Sequence, residues 1–566
     1  AVFLEEEWEE TKELVLQRLR ELGYAEAEVG GEVRVDVATQ RAAVELEVEP
    51  GQHYRFGRIF VATEANPTVP PRRIIEQVQG VLRPGEYYRE SALAEAQARV
   101  FRMGVFGAVQ VRRGAPDRET GTVPVVVDVR EAPFRSIRLG GGVGVDVARQ
   151  EVRVLAEWTD RNFLGDLRQL TVGARVGYAF IPNITAAFDE SDTTPHGLIF
   201  EFSTQFEQPR FLYSLLKRPD LRLQTSLTAE RGLEQAYDFI GGRFRGGLAW
   251  QPHPDLTFFP AYNLELYRLT TQTEGGGPGF DQPEVPTLIL GCQDREVRDR
   301  RCNISLSFLE QVVEWDRRND ALAPSRGFYA ALSLQEGGAF LQGDFTFLRL
   351  LPDLRIYYSF GPLERFTLAA RVRLGTLLTP ADEDSPIVNR FFSGGGASMR
   401  GFNGRQLSPR LAVPRVASPL GPEDFDYLPI GGNSLFESSV ELRVRLVGDL
   451  VLAAFHDSGL VGTGPLFLGP RAGPEQEFSR LFGDHHYQAV GLGLRYLTVV
   501  GPIRLDIARR LNVGAPLPVL NPTTGQYFTV GGFQDCFGLG RKQTRQEYAG
   551  SPEGLCTFFL SIGEAF

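Results

Sequence analysis

Arg400 is the side chain whose surroundings most need explaining, a lone cation in the stretch Phe391–Phe402, FFSGGGASMRGF. Three consecutive glycines stand before it and Gly401 and Phe402 follow. Such a run suits neither helix nor strand and reads as a loop with close backbone approaches. A guanidinium offers a planar fork that grips carboxylates or phosphates. Phosphate can be set aside, because neither SGGGASMRG at 393–401 nor GGGVGVD at 140–146 has Walker spacing or lies between a parallel strand and a helix. Hydrolysis fares no better. His456, Asp457 and Ser458 are adjacent in sequence, which does not make a triad, and no GxSxG elbow occurs. His485-His486 offers at most a surface metal site, so no metal, no cofactor and no catalytic residue is expected.

The four cysteines fall in two pairs, Cys292 with Cys302 and Cys536 with Cys556. Neither has zinc spacing, so two disulfides in an oxidising compartment are the simplest account, with four free thiols as the rival. A net charge of -11 and the lack of a basic, aromatic-laced stripe argue against nucleic acid as a partner. No run of 18 apolar residues exists, so no transmembrane helix is expected. A mean hydropathy of -0.16 does not exclude a membrane β-barrel, whose lipid face hides in alternation. No signal peptide is visible at Ala1; if the protein is exported, this is a mature or trimmed chain.

The elements that must position these residues come in two styles. Residues 7–24 carry Leu14, Leu16, Leu19 and Leu22 at helical spacing, and Gly23 ends the helix. Strands follow at 27–37 and 42–49. The next segment repeats that order in fuller form: strand 54–62, helices 70–81 and 91–103, strands 108–113 and 122–130. This is an internal repeat whose first copy lacks its leading strand and helix. We place a partial α+β domain at 1–50 and a complete one at 51–133.

From Arg135 onward the period becomes two. Ile503, Leu505 and Ile507 oppose Arg504, Asp506 and Ala508, and Val490, Leu492, Leu494 and Tyr496 oppose Gly491, Gly493 and Arg495. Phe366, Leu368, Ala370, Val372 and Leu374 oppose Thr367, Ala369, Arg371 and Arg373. An apolar face likewise opposes Glu437, Ser439, Glu441, Arg443 and Arg445. About sixteen strands of about ten residues, an even count, indicate a transmembrane antiparallel β-barrel over 134–566. Short turns at 163–166, 251–255, 447–449 and 500–502 would face the periplasm. Long loops at 271–301, 379–432, 463–484 and 513–553 would face outward, which puts both cysteine pairs on the external side.

With these pieces assembled, the chain resembles the BamA/TamA family of outer-membrane assembly proteins. The helix–hairpin closes resemble POTRA domains, and the terminal Phe566 resembles the C-terminal signal of outer-membrane proteins. The most specific element is Met399-Arg400-Gly401-Phe402, similar to the family's (V/I)RG(F/Y) loop motif between the eleventh and twelfth strands; Met399 replaces the usual Val or Ile. The resemblance implies that this loop folds into the lumen, where Arg400 meets acidic and aromatic groups; the matching residues are Glu441, Phe455 and Asp457. Alternation supports the match independently, with Glu441 on a polar face and Phe455 and Asp457 sharing one. The bland alternative is a solvated Arg400.

The resemblance also implies a lateral gate between the first strand, 136–146, and the last, 557–566. Gly140, Gly141, Gly142 and Gly144 weaken that first strand. Close packing of a lumenal loop against these glycines is the alternative. Ala108, Val109, Gln110 and Val111 form a possible edge for β-augmentation, or an ordinary solvent-facing edge. The implied function is insertion or folding of β-barrel or autotransporter-type substrates at the outer membrane. The alternative is a two-partner secretion transporter exporting a dedicated protein through the lumen, and an outer-membrane hydrolase is the weak enzymatic reading. Implied partners are unfolded outer-membrane or secreted proteins, outer-membrane lipid, and accessory proteins in the periplasm, an inner-membrane-anchored TamB-like protein among them. No nucleic acid is implied.

Overall fold

Alternation in TVPVVVDVRE makes residues 122–131 a strand with one buried face, and the small apolar residues of ESALAEAQARVF give 90–101 a helix that can lie close against it. The computed structural model has both. It describes residues 4–36, 38–39, 41–63, 67–146, 149–181, 196–216, 220–271, 290, 301–380, 385–414, 425–466, 486–498, 502–511, 517–520, 527–530 and 555–562. The chain divides into two units, Ala1–Ser136 with Thr159–Gln169, and Ile137–Trp158 with Leu170–Phe566.

The first unit opens with α1 (Glu5–Glu21) and the antiparallel hairpin β1 (Glu28–Asp36) and β2 (Arg41–Glu49). A fuller module follows: β3 (Arg55–Ala62), α2 (Pro71–Gln79), α3 (Glu90–Phe101), β4 (Phe106–Arg113) and β5 (Thr122–Glu131). Its sheet runs β3-β5-β4, with β3 parallel and β4 antiparallel to the central β5. Val123, Val125, Val127 and Val129 of β5 point into a core shared with Tyr54, Phe56, Ile74, Val78, Ala92, Ala96 and Val100. The first module differs from expectation in one respect. The helical spacing of its leucines predicts a buried stripe, yet α1 buries no residue, and Leu14 and Leu22 are exposed. In the fuller module β3 and α2 complete the core, and among the described residues nothing in that role covers α1.

The first unit also contains the turn 161–168. Leu164, Gly165, Asp166 and Leu167 have φ of 57°, 79°, 58° and 61°. A non-glycine residue in that region costs about 1–2 kcal/mol.

The second unit is dominated by one large antiparallel sheet. Its strands are β6 (Arg135–Asp146), β7 (Arg149–Asp160), β8 (Gln169–Phe180), β9 (His196–Gln208), β10 (Leu221–Leu233), β11 (Tyr237–His253), β12 (Leu256–Thr271), β13 (Arg301–Asp316), β14 (Gly327–Gly337), β15 (Phe347–Phe360) and β16 (Phe366–Leu378). A long connection carries the short β17 (Arg410–Pro414) and β18 (Phe425–Pro429). The sheet resumes with β19 (Ser434–Arg445), β20 (Leu450–Gly462), β21 (Tyr487–Tyr496) and β22 (Ile503–Arg510). The short β23 (Leu517–Leu520) and β24 (Tyr527–Val530) precede the last strand, β25 (Cys556–Ile562). Sixteen strands pair in the order β25-β22-β21-β20-β19-β16 and so on down to β6. A separate four-stranded sheet, β18-β17-β23-β24, joins two loops through a parallel pairing of β17 with β23, which local pattern does not reveal.

The pleat sorts each barrel strand by face. On β16, β19, β21 and β22 the apolar residues Leu368, Val372, Val440, Leu442, Val490, Leu492, Ile503 and Ile507 are exposed, as a lipid-facing surface requires. The opposite face buries Arg371, Glu437, Ser439, Glu441, Arg443, Arg495, Arg504 and Asp506. The arginines of these strands thus share the inner face with the carboxylates of Glu437, Glu441 and Asp506.

Candidate functional site

The glycine-rich loop lies within the second unit, between β16 and β19, the eleventh and twelfth strands of the sheet order. Gly394 has a φ of 106°, and a Cβ there would stand 2.2 Å from the Asn403 carbonyl oxygen, so only glycine closes this turn. The turn drives Met399, Arg400 and Phe402 inward, and each is buried.

Arg400 is 1% exposed. Its backbone N–H donates to Asp457 Oδ2 at 3.0 Å, and Nε and Nη2 donate to Asp457 Oδ2 and Oδ1 at 2.7 and 2.8 Å. Nη1 reaches Glu441 Oε2 at 2.9 Å, and Nη2 reaches Ser439 Oγ at 3.2 Å. The guanidinium carbon stands 3.3 Å from the centre of the Phe455 ring, a cation–π contact. Register explains the convergence, because Glu441 pairs with Phe455 and Ser439 with Asp457 on β19 and β20. Two neighbouring rungs thus present two carboxylates, a hydroxyl and a ring to one cation. Arg400 is not a solvated loop residue.

The cage extends beyond the residues singled out from sequence. Glu441 also accepts from Arg443 Nε at 2.6 Å and Arg495 Nη2 at 2.5 Å. Asp506 accepts from Arg504 Nη2 at 2.7 Å, and its Oδ2 lies 3.9 Å from Arg400 Nη1. Four guanidiniums, those of Arg400, Arg443, Arg495 and Arg504, thus share the carboxylates of Glu441, Asp457 and Asp506. Arg443, Arg495, Arg504 and Asp506 stand on the polar faces that alternation had already defined, and a census of charges on those faces is the signal that finds them.

Arg504 and one further guanidinium, that of Arg371, also hold the loop by its backbone. Arg504 Nη2 donates to the Gly396 carbonyl at 2.6 Å, and Arg371 Nη1 donates to that of Ala397 at 3.1 Å. The Thr557 hydroxyl of β25 donates to the Arg400 carbonyl. Phe402 packs edge-on against Tyr487, centroids 5.2 Å apart, with the Arg510 guanidinium 4.2 Å above its ring. The loop tip thereby touches β16, β19, β20, β21, β22 and β25 directly. Asp457 is committed to this lumenal cage, and alternation sends His456 and Ser458 to the other face of β20, so the three cannot converge as a triad. Ser458 meets His486 instead.

The other sequence candidates lie apart from the cage. Gly140, Gly141, Gly142 and Gly144 are in β6, which ends the strand order opposite β25. The atoms nearest their missing side chains belong to Leu155, Arg153 and Glu151 of β7. Among the described residues, then, no lumenal loop packs on these glycines. Phe566 lies outside the described residues. Neither Cys302 nor Cys556 is a free thiol. Their expected partners Cys292 and Cys536, and His485, lie outside the described residues too.

Ala108, Val109, Gln110 and Val111 are in β4, at the edge of the three-stranded sheet of the first unit. A groove of about 510 Å³ separates that edge from α3, lined by Leu93, Gln97, Phe101, Val109, Val111 and Arg113. One edge donor is already capped, since the Val111 N–H donates to Gln97 Oε1 at 3.1 Å.

Sixteen antiparallel strands with a lipid-facing apolar surface and a caged lumenal loop define a transmembrane β-barrel protein. The chain belongs to the Omp85 superfamily, whose domain it matches over residues 139–531. It is an outer-membrane protein, of a family whose members are outer-membrane β-barrels with periplasmic POTRA domains and that inserts or secretes proteins at that membrane. It is similar to the outer membrane protein assembly factor BamA of Nitratidesulfovibrio vulgaris, 28% identical over 192 residues, 34% of this chain and 21% of the relative. It is also similar to the sorting and assembly machinery component 50 homolog of Bos taurus, 29% identical over 125 residues, 21% of this chain and 26% of the relative. These matches span only 21% and 26% of those relatives' lengths. The fold resembles BamA from Haemophilus ducreyi lacking POTRA domains 1–3, with a TM-score of 0.59 at 16% identity, covering 90% of this chain and 91% of that one.

Proposed function

We propose that the protein is an assembly factor that folds client strands into the outer membrane at the seam between β6 and β25. One observation carries this reading: β6 and β25 stand at the two ends of the strand order, and among the described residues no ladder joins them. An unpaired strand edge is a template for another chain. The glycines of β6 contribute little cross-strand side-chain contact to oppose opening. β25, in contrast, is tied to the lumenal loop through Thr557. The role is mechanical and non-enzymatic, and the Arg400 cage acts as a brace for the half of the barrel that must stay in shape.

Clients on this reading are unfolded outer-membrane proteins, autotransporter types included. The groove beside β4 is where an extended segment of a client or of a periplasmic accessory protein, such as a TamB-like partner, would add a strand. Export of a dedicated partner through the lumen is the competing mechanism, and it would have to displace the loop from a cage of seven buried charges.

The test is to place single cysteines on β6 and β25 and oxidise them in cells. Crosslinking should abolish support of growth and client insertion, and reductant should restore both. Full activity with the seam crosslinked would remove the lateral mechanism and leave the lumenal one.

A further inference from the structure

The turn between β7 and β8 is built more tightly than a hairpin connection requires. The β19–β20 connection manages with one positive-φ residue, Gly448. The β7–β8 turn has four in succession, and Leu164, Asp166 and Leu167 among them are not glycine. A conformation that L-residues avoid persists only where surrounding contacts over-determine it.

Two of those contacts come from the fuller module of the same unit, and the others from Phe134, the start of β6 and the turn itself. Arg73 at the start of α2 donates through Nη2 to Asp166 Oδ1 at 2.7 Å. Leu167 packs against the module's apolar core. The Arg161 N–H donates to the Phe134 carbonyl at 2.9 Å, and Arg135 Nε pairs with Asp160 Oδ2 at 3.0 Å. Inside the turn, the Leu167 N–H donates to Asn162 Oδ1 at 2.9 Å. The hydrogen bond from Arg73 holds the Asp166 carboxyl below the usual carboxylate range, against the opposing effect of burial.

We propose that the turn 161–168 is a latch point at which the α2 face of the module grips the β7–β8 turn, with Arg73, Asp166 and Leu167 as its positioning residues. The turn is covalently continuous with β7, and among the described residues β7 is the sole neighbour of β6 in the strand order. Restraint on the turn is thus passed along the chain to β7. A client that binds the module could ease that grip. The latch itself stands on geometry, and its consequence for activity rests on the seam reading above.

The experiment uses the full chain in lipid nanodiscs, with amide hydrogen exchange resolved along the sequence. Arg73→Ala and Leu167→Ser should each speed exchange at Arg161, and Arg73→Ala also at Leu167, by about two- to fivefold, the scale of a partly exposed ion pair or a modest apolar contact. Amides of α3 and β10–β16 should not change, which controls for unfolding. The exchanged pair Arg73→Asp with Asp166→Arg should return the turn to near its original rate. In the same samples, the insertion rate of an unfolded outer-membrane barrel protein should shift with Arg73→Ala and recover in the exchanged pair. Unchanged turn exchange in both single variants overturns the latch. Faster exchange with an unchanged insertion rate overturns its link to activity. If the oxidised β6–β25 crosslink leaves insertion intact while the exchange results hold, the seam reading fails and the latch stands.

Discussion

A buried guanidinium costs several kcal/mol unless its charge and its N–H groups are met, and removing one partner from such a pair costs about 3–5 kcal/mol. Arg400 meets that demand with Asp457, Glu441, Ser439 and the Phe455 ring. Glu441 is the more heavily shared group, because it also serves Arg443 and Arg495. We therefore expect an order of damage. Ser439→Ala should be mild. Arg400→Lys keeps the charge but loses the fork that grips Asp457, and should be intermediate. Glu441→Gln leaves three guanidiniums short of one carboxylate and should be the most severe, by about 3–5 kcal/mol. Heat-modifiability of the detergent-solubilised barrel reads the stability, and complementation reads the function. Arg400→Lys matching the parent in both would mean that the fork does not matter. Arg400, Glu441 and Asp457 were legible from a motif and from alternation. Thr557 was not, because it lies 157 residues from the Arg400 carbonyl it binds.

The loop works as an element because its backbone passes close to strands. A Cβ on Gly401 would fall 2.7 Å from Ala489 Cβ on β21 and 3.1 Å from Arg510 Cγ on β22. Gly401→Ala should therefore lift the loop tip, raise its protease sensitivity and lower assembly activity, while the sixteen strands still form. Combining it with Ala489→Gly should recover most of the loss. No recovery would locate the constraint at Arg510 instead. Element boundaries were legible wherever one face of a strand meets a single kind of surroundings, as in β16, β19, β21 and β22. The leucine stripe of α1 misled because periodicity reports which face is apolar, and does not report whether anything covers it. The parallel pairing of β17 with β23 was illegible for a related reason. It joins short segments about a hundred residues apart and has no local signature.

At the scale of the molecule the question is which clients depend on the barrel. Depletion in a cell should lower many outer-membrane β-barrels together, with their unfolded precursors gathering in the periplasm. Loss of one secreted protein alone, with the barrels intact, would favour a dedicated exporter. The sequence by itself determined the class of fold, the membrane it belongs to and the loop that matters. All three depend on local facts: a period of two, a run of glycines, and one cation with nothing beside it. The tertiary structure alone decided that Arg443, Arg495, Arg504 and Asp506 join the cage, that β25 is tied to the loop, that among the described residues β6 pairs with β7 and no other strand, and that Arg73 bonds Asp166 in the β7–β8 turn. Those relations join residues far apart in the chain. They arise only when the strands take one register and their polar faces turn toward a common lumen.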